Sequence, residues 1–237
     1  MKIVNYFNKI INPLGAQLAR YPSNNVKRRM KLINYHKINK IFDIGASIGM
    51  YGLEMRKLKF KGEIFSFEPL VSSYEKLAIN SKKDRMWNTY NFAVGDCNKD
   101  SVINISANYD SSSLLPMLPR HIKGAPDSKY IGKQKIKIIT LDSIYDSIYE
   151  KNDNVYVKVD TQGFENEVLM GAKNSLKLIK GMQLEMSLKP LYKGALLYSE
   201  MIKKMNENDF ELIGLENGFS DHKTGELLQV DGIFYKK

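Results

Sequence analysis

Apolar positions along this chain fall into short runs that alternate or cluster as strands do, separated by stretches where they recur every three or four residues as on a helix. From residue 41 the pattern is regular. It predicts a strand at 41–44, a helix at about 49–58, a strand at 63–67, a helix at 71–81 and a strand at 89–93, a right-handed βαβαβ half. VINIS at 102–106 and KIKIIT at 135–140 alternate as two further strands. Between them lie SSSLLP and a loop rich in Pro, Gly and Lys, an insertion expected to cover one face of a binding site. VYVKVD at 155–160 reads as a buried strand ending in Asp160, followed by a helix over 164–178 and the strand MQLEMS at 182–187. A helix at 199–208 and strands FELIGL at 210–215 and LLQVDGIFY at 227–235 complete the chain. No helix separates the last two strands, so they are expected to pair as an antiparallel hairpin around the loop 216–226. Upstream, Ile3, Phe7, Ile10, Leu14 and Leu18 fall at helical spacing, widened by Val4 and Ile11 and broken near Pro13 and Gly15. A second helix over 25–36 leads into the first strand. The division predicted is a helical extension at 1–38 and an α/β domain at 39–237 with a mostly parallel seven-stranded sheet.

The first strand carries the richest chemistry. IFDIGASIGMYG, residues 41–52, runs from buried strand into a glycine-bearing turn, where Gly45 and Gly49 give the backbone freedom to bend tightly against a ligand. Glu68, at the tip of the next strand, can accept hydrogen bonds from two ribose hydroxyls. Dinucleotide folds use G-x-G-x-x-G to seat a pyrophosphate on exposed amides. Here Asp43 precedes Gly45 and the second glycine follows at 49, which disfavours a pyrophosphate and a nicotinamide cofactor. A cationic ligand with an amino group and a sulfonium, such as S-adenosylmethionine, suits that carboxylate.

Further acids fall at the carboxyl ends of later strands, where ligands of open α/β sheets bind. Asp160 ends one strand, Glu185 lies near the end of its neighbour, and Asp231 or Gln229 of the antiparallel last strand can approach Glu185. Such carboxylates can act as general base toward a hydroxyl, or hold a divalent cation that lowers its pKa. No histidine lies in ligand-like spacing, and the acids also fit a plainer role as helix caps and partners of Lys158 or Lys189. Gln162 and Gly163 lie in the turn facing cofactor or acceptor, and Glu165 and Glu167 suit the helix start that follows. His121, in the insertion, and His222, in the final loop, are further candidate bases or else exposed loop residues. No Asn-Pro-Pro-aromatic tetrad, expected for methylation of exocyclic amines, occurs in the chain, which points toward oxygen as acceptor.

Composition narrows the setting. With 237 residues, 43% of them hydrophobic, the chain can fill one α/β domain with a decoration. The single cysteine, Cys97, excludes an internal disulfide and a cysteine-rich zinc site. No apolar run approaches the roughly 20 residues that span a bilayer, and no signal-peptide layout opens the sequence, so a cytoplasmic protein is expected. The net charge of +10 is local: residues 1–40 hold nine Lys or Arg and no acid, leaving 27 basic side chains against 26 acidic ones elsewhere. A basic element of that kind attracts a membrane surface, an acidic partner or a phosphate backbone. It leaves two readings open, peripheral membrane association and an RNA-binding or RNA-modifying enzyme. The near-neutral remainder and the absence of an RNA-recognition motif disfavour nucleic acid.

From about Arg28 to Tyr235 the chain resembles the FkbM-type S-adenosylmethionine-dependent methyltransferases. The resemblance is carried in order by FDIGASIGMYG, IFSFEPL, NFAVGD, SSSLL, TLDSI, VKVDTQGFENEVLMGA, QLEMSLKPLYKG and GFSDHKTGELLQVDGIF. It implies a class I methyltransferase fold, a Rossmann-like parallel sheet closed by one antiparallel strand. It also implies that Asp43, Gly45, Ser47, Gly49 and Tyr51 hold the methionine part of the cofactor and Glu68 the ribose. Ala93 and Val94 would border the adenine and Asp160 would lie near the transferred methyl. The family commonly has Asn where this chain has Ser47. Its members mostly methylate hydroxyls of sugars, glycolipids and natural products, which implies O-methylation of a small-molecule or glycan acceptor.

Overall fold

The computed structural model describes residue 13 and residues 21–237. The chain divides into two compact units, Met1–Lys37 and Ile38–Lys237. In the first, helix α1 (Asn24–Tyr35) starts where the Ser23 hydroxyl accepts a hydrogen bond from the Val26 N–H at 3.3 Å, a side-chain N-cap. The amphipathic helix expected over residues 3–18 lies, apart from position 13, outside the described residues.

The second unit runs β1 (Lys40–Ile44), α2 (Met50–Lys57), β2 (Glu63–Phe67), α3 (Val71–Ser81), β3 (Trp87–Tyr90), β4 (Ala93–Gly95), β5 (Lys99–Ser106) and α4 (Pro119–Gly124). It continues with β6 (Tyr130–Thr140), α5 (Leu141–Ile148), β7 (Val155–Val159), α6 (Glu165–Met170), β8 (Gly181–Ser187), α7 (Tyr198–Glu207), β9 (Phe210–Asn217) and β10 (Gln229–Lys236). Seven strands form the main sheet in the order β3-β2-β1-β7-β8-β10-β9. Neighbours from β3 to β8 are parallel, and β10 is antiparallel to both β8 and β9. The strand order reverses between β1 and β7, which opens a crevice at their carboxyl ends.

The two faces of this sheet differ in kind. Phe65 and Phe67, Phe42 and Ile44, Val157 and Val159, Leu184 and Met186, and Val230 and Phe234 point to one side, into a core shared with Leu141, Val168, Leu169 and Met201. The other side carries Ser66, Asp43, Lys158 and Gln183 in one row across four strands, and Glu185 beside Asp231 in the next. A half-polar central sheet is costly to bury unless its groups pair. Here the pairing builds the site.

Three local expectations change. The strand expected at 89–93 is two pieces: β3 stops at Tyr90, and Ala93 and Val94 open β4 in a second sheet ordered β4-β6-β5. The break lies at Asn91, whose side-chain amide donates to the carbonyls of Glu68 and Pro69 at 2.9 and 3.1 Å and pulls the chain out of line. The helix expected over 164–178 ends at Met170. There the Asp142 carboxylate captures the N–H groups of Asn174 and Ser175, starting a separate turn at 175–177. His121, considered as an exposed loop residue, is 2% exposed. Among the described residues no helix is long and apolar enough to cross a membrane.

Candidate active site

The turn after β1 is built from three left-handed residues, Gly45, Ser47 and Gly49, at φ 76°, 47° and 87°. Gly45 is required by contact as well as conformation, since a Cβ there would lie 1.9 Å from the Asp160 carbonyl oxygen. Ser47 donates its N–H to Glu68 Oε2, and Leu70 donates its N–H to Oε1, both at 2.8 Å. Glu68 thereby ties the turn to the end of β2. Burial pushes its carboxyl up to about 7, against the two backbone donors that favour the charge.

Asp43 lies inward of the turn, fully buried, 3.3 Å from Lys158 Nζ on β7. Burial raises its carboxyl above the ordinary range, and Lys158 opposes that shift. Lys158 Nζ also lies 3.4 Å from Asp160 Oδ2. Burial alone would favour loss of the lysine proton, but Asp43, Asp160 and Asp231 outweigh it and hold its pKa above the usual lysine value. The lysine is thus a fixed cation at the heart of an acidic cluster.

Past β7, Gln162 takes φ 56° and turns its side chain between two acids. Its Nε2 donates to Asp160 Oδ1 at 2.8 Å and to Glu185 Oε2 at 2.9 Å, while its Oε1 accepts from the Tyr192 hydroxyl at 2.8 Å. The turn is locked from below by Glu165, whose Oε1 accepts from the N–H groups of Thr161 and Gly163 at 2.9 and 3.2 Å. Glu185 stands directly opposite Asp231 across β8 and β10, the juxtaposition anticipated from the antiparallel pairing. Crowding by protein first, then by the Asp160, Glu165 and Asp231 carboxylates, raises the Glu185 pKa well above its ordinary value.

These pieces surround a cavity that opens to solvent. Gly45, Ser47, Glu68, Ala93, Val94 and Asp160 line it. Ile103 of the second sheet and Leu114 of the insertion supply an apolar end, packed with Leu70 and Ala93. The insertion covers a further side with Tyr109, Asp110 and Ser112, and the Ser47 hydroxyl donates to Asp110 Oδ1 at 3.0 Å.

Other candidates stand back from the cavity wall. Asp43 is buried against Lys158; Gly49 heads α2, where a Cβ would press on Leu77 and Trp87; and Tyr51 lies with its ring 5.6 Å from Lys158 Nζ. Glu185 and Asp231 do not line the cavity, whereas Gln162, which donates to Glu185, does. His222 is exposed in the loop between β9 and β10, which folds on Asp221. His121 packs on Tyr192 and Phe219, with Nε2 3.3 Å from the Ser111 hydroxyl, and burial lowers its pKa to about 4. Tyr109, Asp110 and Tyr192 carry no signal in the sequence that marks them for the site. Their places depend on how the insertion and the segment after β8 fold back, which no local periodicity encodes.

The donor set fits an S-adenosyl cofactor: an apolar slot, a carboxylate held by two amides at the ribose position of a doubly wound sheet, and excess negative charge near the turn. Among the described residues no group of three or more His, Cys, Asp or Glu is arranged to hold a metal ion.

A model of the Methyltransferase FkbM domain family matches residues 43–212. No curated protein matches the chain. Among solved structures, a putative O-methyltransferase from Klebsiella pneumoniae aligns with a TM-score of 0.52 at 11% identity, covering 100% of this chain and 96% of that one. TehB from Haemophilus influenzae aligns at 0.50 with 13% identity, covering 99% of this chain and 67% of that one. At such identities the likeness is one of fold, the class I methyltransferase arrangement.

Proposed function

The chain belongs to the FkbM methyltransferase family, and from that premise we propose that it transfers a methyl group from S-adenosylmethionine to a hydroxyl oxygen of a saccharide, glycoconjugate or natural product. The observation that carries this reading is Asp160, a carboxylate at the carboxyl end of β7 that lines the cavity beside the Gly45 turn. Bound, the cofactor supplies an electrophilic methyl carbon on a sulfonium. Glu68 accepts the ribose hydroxyls, and Ala93, Val94, Ile103 and Leu114 flank the purine. The turn 45–49 brings its backbone against the methionine part, with Lys158 fixing the turn from behind through Asp43 and Asp160.

An alcohol is a poor nucleophile until its proton leaves. In this reading Asp160 takes that proton as the new C–O bond forms and the methyl–sulfur bond breaks, S-adenosylhomocysteine leaving with the sulfur's electron pair, a general-base contribution of about 10²–10⁴ in rate. Positioning of the acceptor between the insertion and the Gln162 turn supplies the rest.

Isothermal titration with S-adenosylmethionine and S-adenosylhomocysteine tests the cofactor, and absence of binding by both would overturn the reading. Tritiated methyl transfer into polysaccharide and glycolipid fractions tests the acceptor class, with label on a hydroxyl oxygen expected.

A further inference from the structure

Gln162 stands at the cavity wall between two acids, and every polar atom of its side chain is engaged. One N–H goes to Asp160, the other to Glu185, and the oxygen receives the Tyr192 hydroxyl. The amide cannot turn over, because its oxygen would then face both carboxylates. Tyr192 is 1% exposed, and burial holds its phenol above the ordinary pKa, so it stays a donor. It is seated by Gly163, where a Cβ would lie 2.8 Å from its own Cβ. The Gln162 carbonyl is held too, by the Ser113 hydroxyl at 2.7 Å. Of the two acids, Asp160 lines the cavity and Glu185 does not.

Two neighbouring carboxylates without such a bridge tend to share a proton, and a shared proton removes the base. We infer that Gln162, locked by Tyr192, is a positioning residue: it holds Asp160 toward the acceptor and keeps Glu185 behind it, outside the reaction. The inference rests on the reading of Asp160 as proton acceptor, and it assigns Tyr192 a role in that reaction without contact with the reacting atoms.

The test uses the full chain with two near-isosteric variants, Gln162→Met and Tyr192→Phe. Titration with S-adenosylhomocysteine checks folding, and Tyr192→Phe is expected to bind it within about threefold of wild type, well under the tenfold that one lost interaction of about 1.4 kcal/mol would give. Carbon-13 NMR of labelled carboxyls in that complex then follows Glu185. Its titration midpoint should rise by about one unit in Gln162→Met, the size of one lost charge-assisted donor, and by less in Tyr192→Phe. In methyl transfer to the saccharide fraction that wild type labels, kcat should fall about tenfold or more in Gln162→Met, with the acid limb of its pH profile moved upward. A Glu185 midpoint and pH profile unmoved in both variants, with Asp160→Asn inactive, would overturn the inference alone. Asp160→Asn transferring at the wild-type rate would overturn the functional reading and this role with it.

Discussion

Replacing Glu68 by Gln should both weaken cofactor binding and abolish its pH dependence. The carboxyl titrates near 7 in the folded protein against an ordinary 4.5, because burial disfavours its charge. Ionising it there costs about 3 kcal/mol relative to water. Its native pKa lies above the unfolded one, so the folded state holds the proton more tightly. Stability from this group is full below about pH 4.5 and is lost as the pH rises through 7. Binding runs the opposite way. If ribose hydroxyls donate to the carboxylate, as proposed, binding selects the ionised form, and the Kd of S-adenosylhomocysteine should weaken about tenfold per pH unit below 7 and level off above it. Gln keeps one acceptor oxygen but sets an NH2 group against the N–H of Ser47 or Leu70. Losing a charge-assisted acceptor of about 1.5–3 kcal/mol should weaken binding about 10- to 100-fold. Calorimetric titration between pH 5.5 and 7.5 measures both. Glu165 also titrates near 7 but lies off the cavity wall, so the comparison of wild type with Glu68→Gln isolates Glu68. A wild-type Kd constant over that range, or a variant with the same slope, would refute the assignment.

Gly45→Ala places a methyl 1.9 Å from the Asp160 carbonyl at a φ of 76°, and thermal unfolding should show a loss above about 3 kcal/mol or no folded protein. Lys158→Met leaves Asp43 buried without its cation, a loss of about 3–5 kcal/mol in denaturant titration at neutral pH. The deficit should shrink in acid, where Asp43 can protonate, and in the double variant with Asp43→Asn. His121 has a pKa depressed to about 4 by burial, so the native state binds fewer protons than the unfolded chain between about pH 6.5 and 4, and stability falls as the pH falls. His121→Phe should flatten that acid-side decline in the urea midpoint, and an unchanged decline would show the histidine to be accessible to protonation in the fold.

The main sheet is legible in the sequence because its strands repeat a local pattern. VYVKV and KIFDI are apolar enough to be central, and the missing helix between β9 and β10 dictates their antiparallel pairing. The direction of β10 in turn lets Asp231 approach Glu185, and the two stand directly opposite each other across the strands. The turn after β1 is legible because left-handed backbone selects glycine, yet Ser47 shares that conformation with no glycine to mark it. Elsewhere the deciding contacts are long-range. Asn91 ends β3 by bonding carbonyls of a loop 22 and 23 residues earlier. Asp43 reads as a ligand by its position before Gly45, and the pairing of β1 with β7 sets Lys158 beside it, a partner that the local sequence does not announce. Tyr192 reaches Gln162 across 30 residues, a closure that no periodicity announces.

The most direct test follows a deuterated methyl group from S-adenosylmethionine into extracts of saccharides and glycolipids, comparing wild type with Asp160→Asn and locating the label by NMR. Label on a hydroxyl oxygen, lost with Asp160, is the predicted result; label on nitrogen or carbon, or transfer unaffected by the substitution, would contradict the account.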